Sequence, residues 1–209
     1  MYSPGIALPS PAMTKKYDHA YFSRWYRDRG VAGRAGLARK VAMAVAIAEF
    51  HLERPIRSVL DVGCGEAAWR APLLKLRPKL HYQGVDSSEY AVAKYGRSRN
   101  LALASFGQLA ELRFGRPADL LVCSDVLHYV PTAELKRGLS GFAELCDGVA
   151  FLELYAKGDD IAGDMQGFLP RSADSYRKLF ATAGFTACGS HAYLSARLRE
   201  NAVALEVLD

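Results

Sequence analysis

Leu37, Val41, Ala44, Val45, Ala48 and Leu52 recur at intervals of three and four along residues 34–53, with Arg39, Lys40 and Glu49 off that face. The spacing predicts one amphipathic helix, closed by Pro55. Beyond it the period changes. Short apolar runs of strand length stand at residues 57–63, 82–86, 101–104, 119–124 and 149–155, and helical stretches separate most of them at 66–76, 88–95 and 131–145. The 119–124 run (Asp-Leu-Leu-Val-Cys-Ser) is apolar without alternation, as a strand covered on both faces would be. Pro131 stands where the first turn of a helix tolerates a missing N–H. A further helix over 172–183 is stopped by Gly184, and strands over 186–193 and 202–208 finish the pattern.

Strands alternating with helices specify an α/β fold with a doubly wound, mostly parallel sheet. The final two strands have no long helix between them. Parallel neighbours need a crossover, so these two form a hairpin and the last strand runs antiparallel to the rest.

Composition narrows the class without naming an activity. A chain of 209 residues, half of them hydrophobic and 23% charged, is ordinary for one globular domain. No apolar run approaches the roughly 18 residues a membrane span needs. Residues 1–13, with Pro4, Gly5, Pro9 and Pro11, read as a disordered tail and not as a secretory signal. Residues 14–55 read as a helical extension and 56–209 as the main domain. Cys64, Cys123, Cys146 and Cys188 form no C-x-x-C pair and no metal-ligand spacing, which points to a reduced, cytoplasmic protein without bound metal. The net charge of +5 is uneven: residues 1–100 carry 17 Lys/Arg against 8 Asp/Glu, and residues 101–209 carry 10 against 14. The basic half reads as polar helix faces, and a nucleic-acid partner is not expected.

The chemistry concentrates at Val59-Leu-Asp-Val-Gly-Cys-Gly-Glu-Ala67. A strand delivers the chain to a turn where glycines let a ligand approach the backbone, and the next helix offers its free N–H groups. Asp61 ends the strand, where a plain strand would carry an apolar residue, and can hold an ammonium group. Asp86, in Gly84-Val-Asp-Ser87, ends the next strand some 20 residues beyond the glycine turn, where an acid accepts hydrogen bonds from a ribose. Asp86 reads equally as a helix N-cap, a role that Ser87 or Ser88 can also fill.

Leu60-Asp-Val-Gly-Cys-Gly65, Gly84-Val-Asp86 and Asp119-Leu-Leu-Val-Cys-Ser-Asp-Val-Leu-His128, in that order, resemble the successive motifs of class I S-adenosylmethionine-dependent methyltransferases. The resemblance spans residues 56 to 208. It implies a Rossmann-like, seven-stranded sheet with an antiparallel last strand, and S-adenosylmethionine as cofactor. Gly63, Cys64 and Gly65 would pass beside the cofactor's amino-acid portion with Asp61 close by. Asp86 and Ser87 would meet the ribose, Phe106 and Gly107 would edge the adenine, and Ser124 would lie near the sulfonium. Two positions depart from the pattern. Ala67 replaces the usual third glycine, a change a helix N-terminus tolerates, and no acidic or polar residue follows the third strand beside adenine.

Gly63-Cys-Gly-Glu-Ala-Ala68 also fits the dinucleotide fingerprint, so a nicotinamide oxidoreductase is a competing reading. Asp61 argues against it, because a carboxylate repels a pyrophosphate and attracts a sulfonium or ammonium. A non-catalytic module that binds S-adenosylmethionine is a second alternative. For a methyltransferase, the acceptor lies beyond the C-terminal strand ends, within reach of Asp125, His128, Tyr129 and Tyr155. His128 is the candidate general base, and packing at the start of the 131–145 helix is its other reading. The aromatic segment from Lys16 to Tyr26 is either a lid, with Tyr21 against the cofactor, or a helix packed through Tyr21, Phe22 and Trp25. Asp159, Asp160 and Asp164 read as a solvated loop or as a selector of a cationic acceptor. No Pro-Pro-aromatic sequence follows the fourth strand and no Pro-Cys nucleophile is present, so a small-molecule acceptor is expected. The sequence does not fix the oligomeric state.

Overall fold

A computed structural model describes residues 17–28, 33–160 and 164–202. The expected tail over 1–13 and most of the strand expected over 202–208 lie outside these residues.

Seven strands are described, β1 (Ser58–Val62), β2 (His81–Asp86), β3 (Leu101–Leu103), β4 (Ala118–Ser124), β5 (Cys146–Glu153), β6 (Thr186–Gly189) and β7 (Ala192–Leu194). They form one sheet in the order β3-β2-β1-β4-β5-β7-β6. The pairs β1–β2, β2–β3, β1–β4 and β4–β5 are parallel, and β7 runs antiparallel to both β5 and β6. The chain therefore moves outward from β1 on one side and from β4 on the other, which opens a crevice at their C-terminal ends.

Strand alternation sends successive side chains into two cores. Leu60, Val62, Leu121, Cys123, Ala150 and Leu152 face one, while Val59, Leu120, Val122, Val149 and Phe151 face the other. Helices α5 (Thr132–Ser140), α6 (Phe142–Leu145) and α7 (Ala173–Thr182) cover the first. Helices α2 (Arg34–Leu52) and α3 (Arg70–Leu76) cover the second, α2 through Val41, Ala44, Val45 and Ala48. Helix α4 (Glu89–Arg99) is capped by Ser88, whose Oγ accepts the Ala91 N–H at 3.1 Å, and ends at Asn100 in the left-handed conformation.

Three expectations change. The helix after the glycine turn begins at Arg70 and not at 66, because Gly65 and Ala67 both have left-handed φ values (52° and 60°) that no α-helix accepts. Ala67 therefore replaces a glycine inside a strained turn, not at a tolerant helix N-terminus. The helix expected over 131–145 is broken at Gly141 into α5 and α6. The final hairpin is present, but both of its strands lie within 186–194, turning through Ser190 and His191 at φ 49° and 63°. Neither residue announces such a turn, so the sequence reads as one longer strand.

Candidate active site

A cavity of about 200 Å³ opens at the C-terminal ends of β1, β2 and β4. Its floor is the glycine turn. The N–H groups of Gly63 and Cys64 donate to the Val85 carbonyl at 2.8 and 3.2 Å, and the Gly65 N–H donates to Asp86 Oδ2 at 2.7 Å. The turn thus consumes its own donors. Its glycines have a steric reason as well: a Cβ on Gly63 would lie 2.3 Å from a Val126 methyl carbon, and one on Gly65 would lie 2.8 Å from the Phe22 ring.

Asp86 spans two backbones. Oδ2 takes the Gly65 N–H and Oδ1 takes the Ser88 N–H at 2.7 Å, while the helix cap is Ser88 and not Asp86. Burial raises the Asp86 pKa and these backbone donors hold it down in part. Each oxygen retains a lone pair, and the residue lines the cavity.

Of the positions expected to meet the cofactor, Tyr21, Gly63, Gly65, Asp86, Ser87, Phe106 and Ser124 line the cavity. Asp61, Cys64 and Gly107 do not, and neither does His128, the candidate general base. Alternation along β1 turns Val62 toward the cavity and Asp61 away from it, into the opposite face, where it accepts the Tyr82 hydroxyl at 2.7 Å. Full burial there pushes the Asp61 carboxyl up to about 7, the Tyr82 bond opposing and Asp86 adding to the shift. Cys64 is buried in the same core, and burial beside Asp61 raises its thiol well above the usual range. The Gly107 N–H is taken by Glu134 Oε1 at 3.2 Å. His128 is 1% exposed, packs on Tyr129, Tyr155 and Phe168, and its Nδ1 accepts the Tyr155 N–H at 3.3 Å. It packs behind its neighbour Tyr129, which lines the cavity, and is not itself among the lining residues.

The structure adds residues that the linear motifs did not show. Glu134, from the first turn of α5, lines the cavity and supplies an acid on the side of Phe106, where none follows the third strand in sequence. Phe106 begins a short 3₁₀ turn held by a capping box between Ser105 and Gln108, a signature legible as Ser-x-x-Gln. At the opposite end, Ser124 Oγ donates to Glu153, which also holds Lys40 of α2 at 2.6 Å. Asp125 follows Ser124 with φ 63°.

The described part of the aromatic segment packs through Phe22 and reaches the cavity through Tyr17 and Tyr21. Asp18 caps a one-turn helix, α1 (His19–Phe22), and Phe22 is buried against Gly65 and the Tyr90 ring. Tyr17 and Tyr21 wall the cavity, and the Tyr17 carbonyl accepts the Ser88 hydroxyl at 2.5 Å. Burial, with Asp86 and Asp164 adding, pushes the Tyr17 phenol up to about 12. Asp159 closes a turn on the Ala156 N–H at 2.8 Å and, with Asp160, is exposed outside the cavity lining.

The lining contains Asp86, Asp125 and Glu134 and, among the described residues, no Lys, Arg or His. Such a cavity repels a pyrophosphate and suits a ligand bearing a sulfonium and an ammonium. S-adenosylmethionine fits that charge.

The comparisons with known proteins agree. Residues 60–148 match the family model described as a methyltransferase domain. No curated protein matches the sequence. A sugar N-methyltransferase of Streptoalloteichus (KedS8) superposes with TM-score 0.59 at 19% identity, covering 88% of this chain and 90% of its own. DesVI of Streptomyces venezuelae gives 0.62 at 17% identity, with 82% and 92% covered. The magnesium protoporphyrin IX methyltransferase of Synechocystis, in a structure with bound cofactor, gives 0.59 at 23% identity, with 83% and 84% covered. These likenesses carry the fold, and the matched domain spans the glycine turn, Asp86 and β4. Sheet order, glycine turn and motif match converge: residues 60–148 match a methyltransferase domain, and the seven-stranded sheet around them has the fold of the methyltransferase structures it superposes on.

Proposed function

We propose that the protein transfers a methyl group from S-adenosylmethionine to a small-molecule acceptor by in-line displacement. The observation that carries this reading is the anionic cavity at the strand ends, floored by the glycine turn and, among the described residues, free of basic side chains. The sugar and porphyrin methyltransferases among the structural neighbours support an acceptor of small size.

When bound, the cofactor supplies a methyl group already activated by its sulfonium, so the protein's task is alignment and exclusion of water. In this reading Asp86 and Ser87 hold the ribose, and Phe106 with Glu134 borders the adenine. Gly63, Gly65 and Ser124 pass beside the amino-acid portion and the sulfonium, and Tyr17 and Tyr21 close the cavity from above. Asp61 acts at a distance, by fixing Tyr82 beneath the turn. We assign His128 to positioning the exit of β5 through Tyr155, so His128→Gln retains turnover. We assign residues 14–55 to an extension whose Tyr17, Tyr21 and Phe22 wall the site, and residues 56–209 to the main domain. Cys64, Cys123 and Cys146 are free thiols that burial raises above the usual range, which supports a reducing, cytoplasmic setting. No helix among the described residues is long and apolar enough to cross a membrane.

Incubation with methyl-labelled S-adenosylmethionine and a fractionated metabolite extract tests the activity. Label is expected in a low-molecular-weight fraction. Cofactor binding with no transfer to any fraction would instead identify a binding module.

A further inference from the structure

The acceptor end of the cavity has its own chemistry, and the inference drawn from it rests on the methyl-transfer reading above. Two of the three lining acids are engaged, Asp86 by the backbone N–H groups of Gly65 and Ser88, and Glu134 by that of Gly107. Asp125 differs. Its backbone N–H donates to the Glu153 carbonyl at 3.0 Å, but its carboxylate accepts no hydrogen bond among the described residues. It sits one residue beyond β4, beside Ser124, with its side chain in the cavity wall. Lys40, whose charge acts favourably on Asp125, is itself hydrogen-bonded to Glu153.

Three phenol rings share this cavity. Tyr17 and Tyr21 meet edge to face with centroids 5.0 Å apart, and Tyr129 lines the wall with its hydroxyl donating to the Asp164 carbonyl at 2.6 Å. A partly buried carboxylate without a donor among the described residues, in a cavity that also holds phenol rings and, among those residues, no basic group, attracts a cation and rejects an anion. The field is strong enough that burial and Glu153 hold the Asp125 carboxyl above the usual carboxylate range.

We propose that the acceptor is an amine that arrives as an ammonium ion paired with Asp125 among these tyrosines, and that Asp125 selects it over alcohols and acids of the same shape. The ammonium first gives one proton to the Asp125 carboxylate, which frees the nitrogen lone pair. The N–C bond then forms as the methyl–sulfur bond breaks, and that bonding pair stays on sulfur as the neutral thioether. The product leaves as a methylated ammonium, and Asp125 releases its proton to water. An acid that accepts a proton in this way profits from an affinity for protons raised by its surroundings.

Calorimetric titration of the S-adenosylhomocysteine-saturated protein with cyclohexylamine and with cyclohexanol tests the proposal. The amine is expected to bind at least tenfold more tightly than the alcohol. Asp125→Asn, which the left-handed backbone accommodates, is expected to abolish that preference while S-adenosylhomocysteine affinity stays within twofold. Equal binding of both probes, binding of neither, or a preference that survives Asp125→Asn would overturn the assignment. Loss of S-adenosylhomocysteine affinity in Asp125→Asn would place the residue on the cofactor's own ammonium and overturn it as well. A wild type that does not bind S-adenosylhomocysteine overturns the methyl-transfer reading, and the acceptor class with it.

Discussion

Asp61 and Asp86 close neighbouring strands, yet only Asp86 reaches the cavity. Both were legible as unusual acids at strand ends, and so were the glycines between them. Side-chain direction was not legible, because a shift of one residue in a strand reverses the face. Asp61, fully buried, titrates at about 7, whereas an unfolded Asp titrates near 3.9. Between those values the native state binds the extra proton, so this group's contribution to stability falls as pH rises from about 4 to about 7. The fall is expected to be on the order of 2–4 kcal/mol. In Asp61→Asn, which keeps an acceptor for the Tyr82 hydroxyl, urea unfolding at pH 5 and pH 8 should show that part of the pH dependence gone. A variant that retains the wild-type slope would assign the dependence elsewhere.

At the scale of elements, the sequence announced helices and strands but not how closely they meet. Gly138 and Gly141, three apart on α5 and at its end, carry the clearest case. A Cβ on Gly138 would come within 2.3 Å of the Phe106 carbonyl oxygen, and one on Gly141 within 2.0 Å of that of Leu109. These glycines let the 3₁₀ turn of Phe106 lie directly on α5, and nothing in a one-dimensional pattern marks them, since a glycine in a helix reads as a weakness. Gly138→Ala should gain about 1 kcal/mol of helix propensity and lose more than that, roughly 1–3 kcal/mol, to overpacking. Because Phe106 lines the cavity, S-adenosylhomocysteine affinity should drop along with stability. A fully stable variant of normal affinity would show that the turn is not fixed by this contact. The C-terminal hairpin offers the opposite sign. Ser190 and His191 are exposed and both occupy left-handed backbone, so Ser190→Asn with His191→Gly should raise stability by about 1 kcal/mol. Thermal unfolding of the double variant checks this, and an unchanged or lower midpoint would contradict it.

At the scale of the molecule, the parallel core was the most legible part, because buried strands such as 119–124 are apolar throughout and their helices alternate with them. The walls of the cavity were the least legible. Tyr17 comes from the N-terminal segment, and Asp125 and Glu134 from the loop after β4 and the first turn of α5; they share one cavity because the chain leaves β1 and β4 towards opposite edges of the sheet. That sharing sets a contrast of charge: a chain of net charge +5 encloses a cavity whose charged side chains, among the described residues, are all acidic. An anionic dinucleotide would be drawn to the surface and refused by the cavity, whereas a ligand bearing an ammonium group would be held inside. A ligand that binds only the native state raises stability by about 2.7 kcal/mol at one hundred times its Kd. For a chain of this length each kcal/mol moves Tm by roughly 2–4 °C. S-adenosylhomocysteine at that excess should therefore raise Tm by roughly 5–10 °C, and the shift should persist at 0.5 M salt because an enclosed pair is weakly screened. NADH at the same concentration should leave Tm unchanged, and any small shift it produces should vanish with salt. A salt-resistant shift with NADH and none with S-adenosylhomocysteine would mean that the acidic lining does not govern the choice of cofactor.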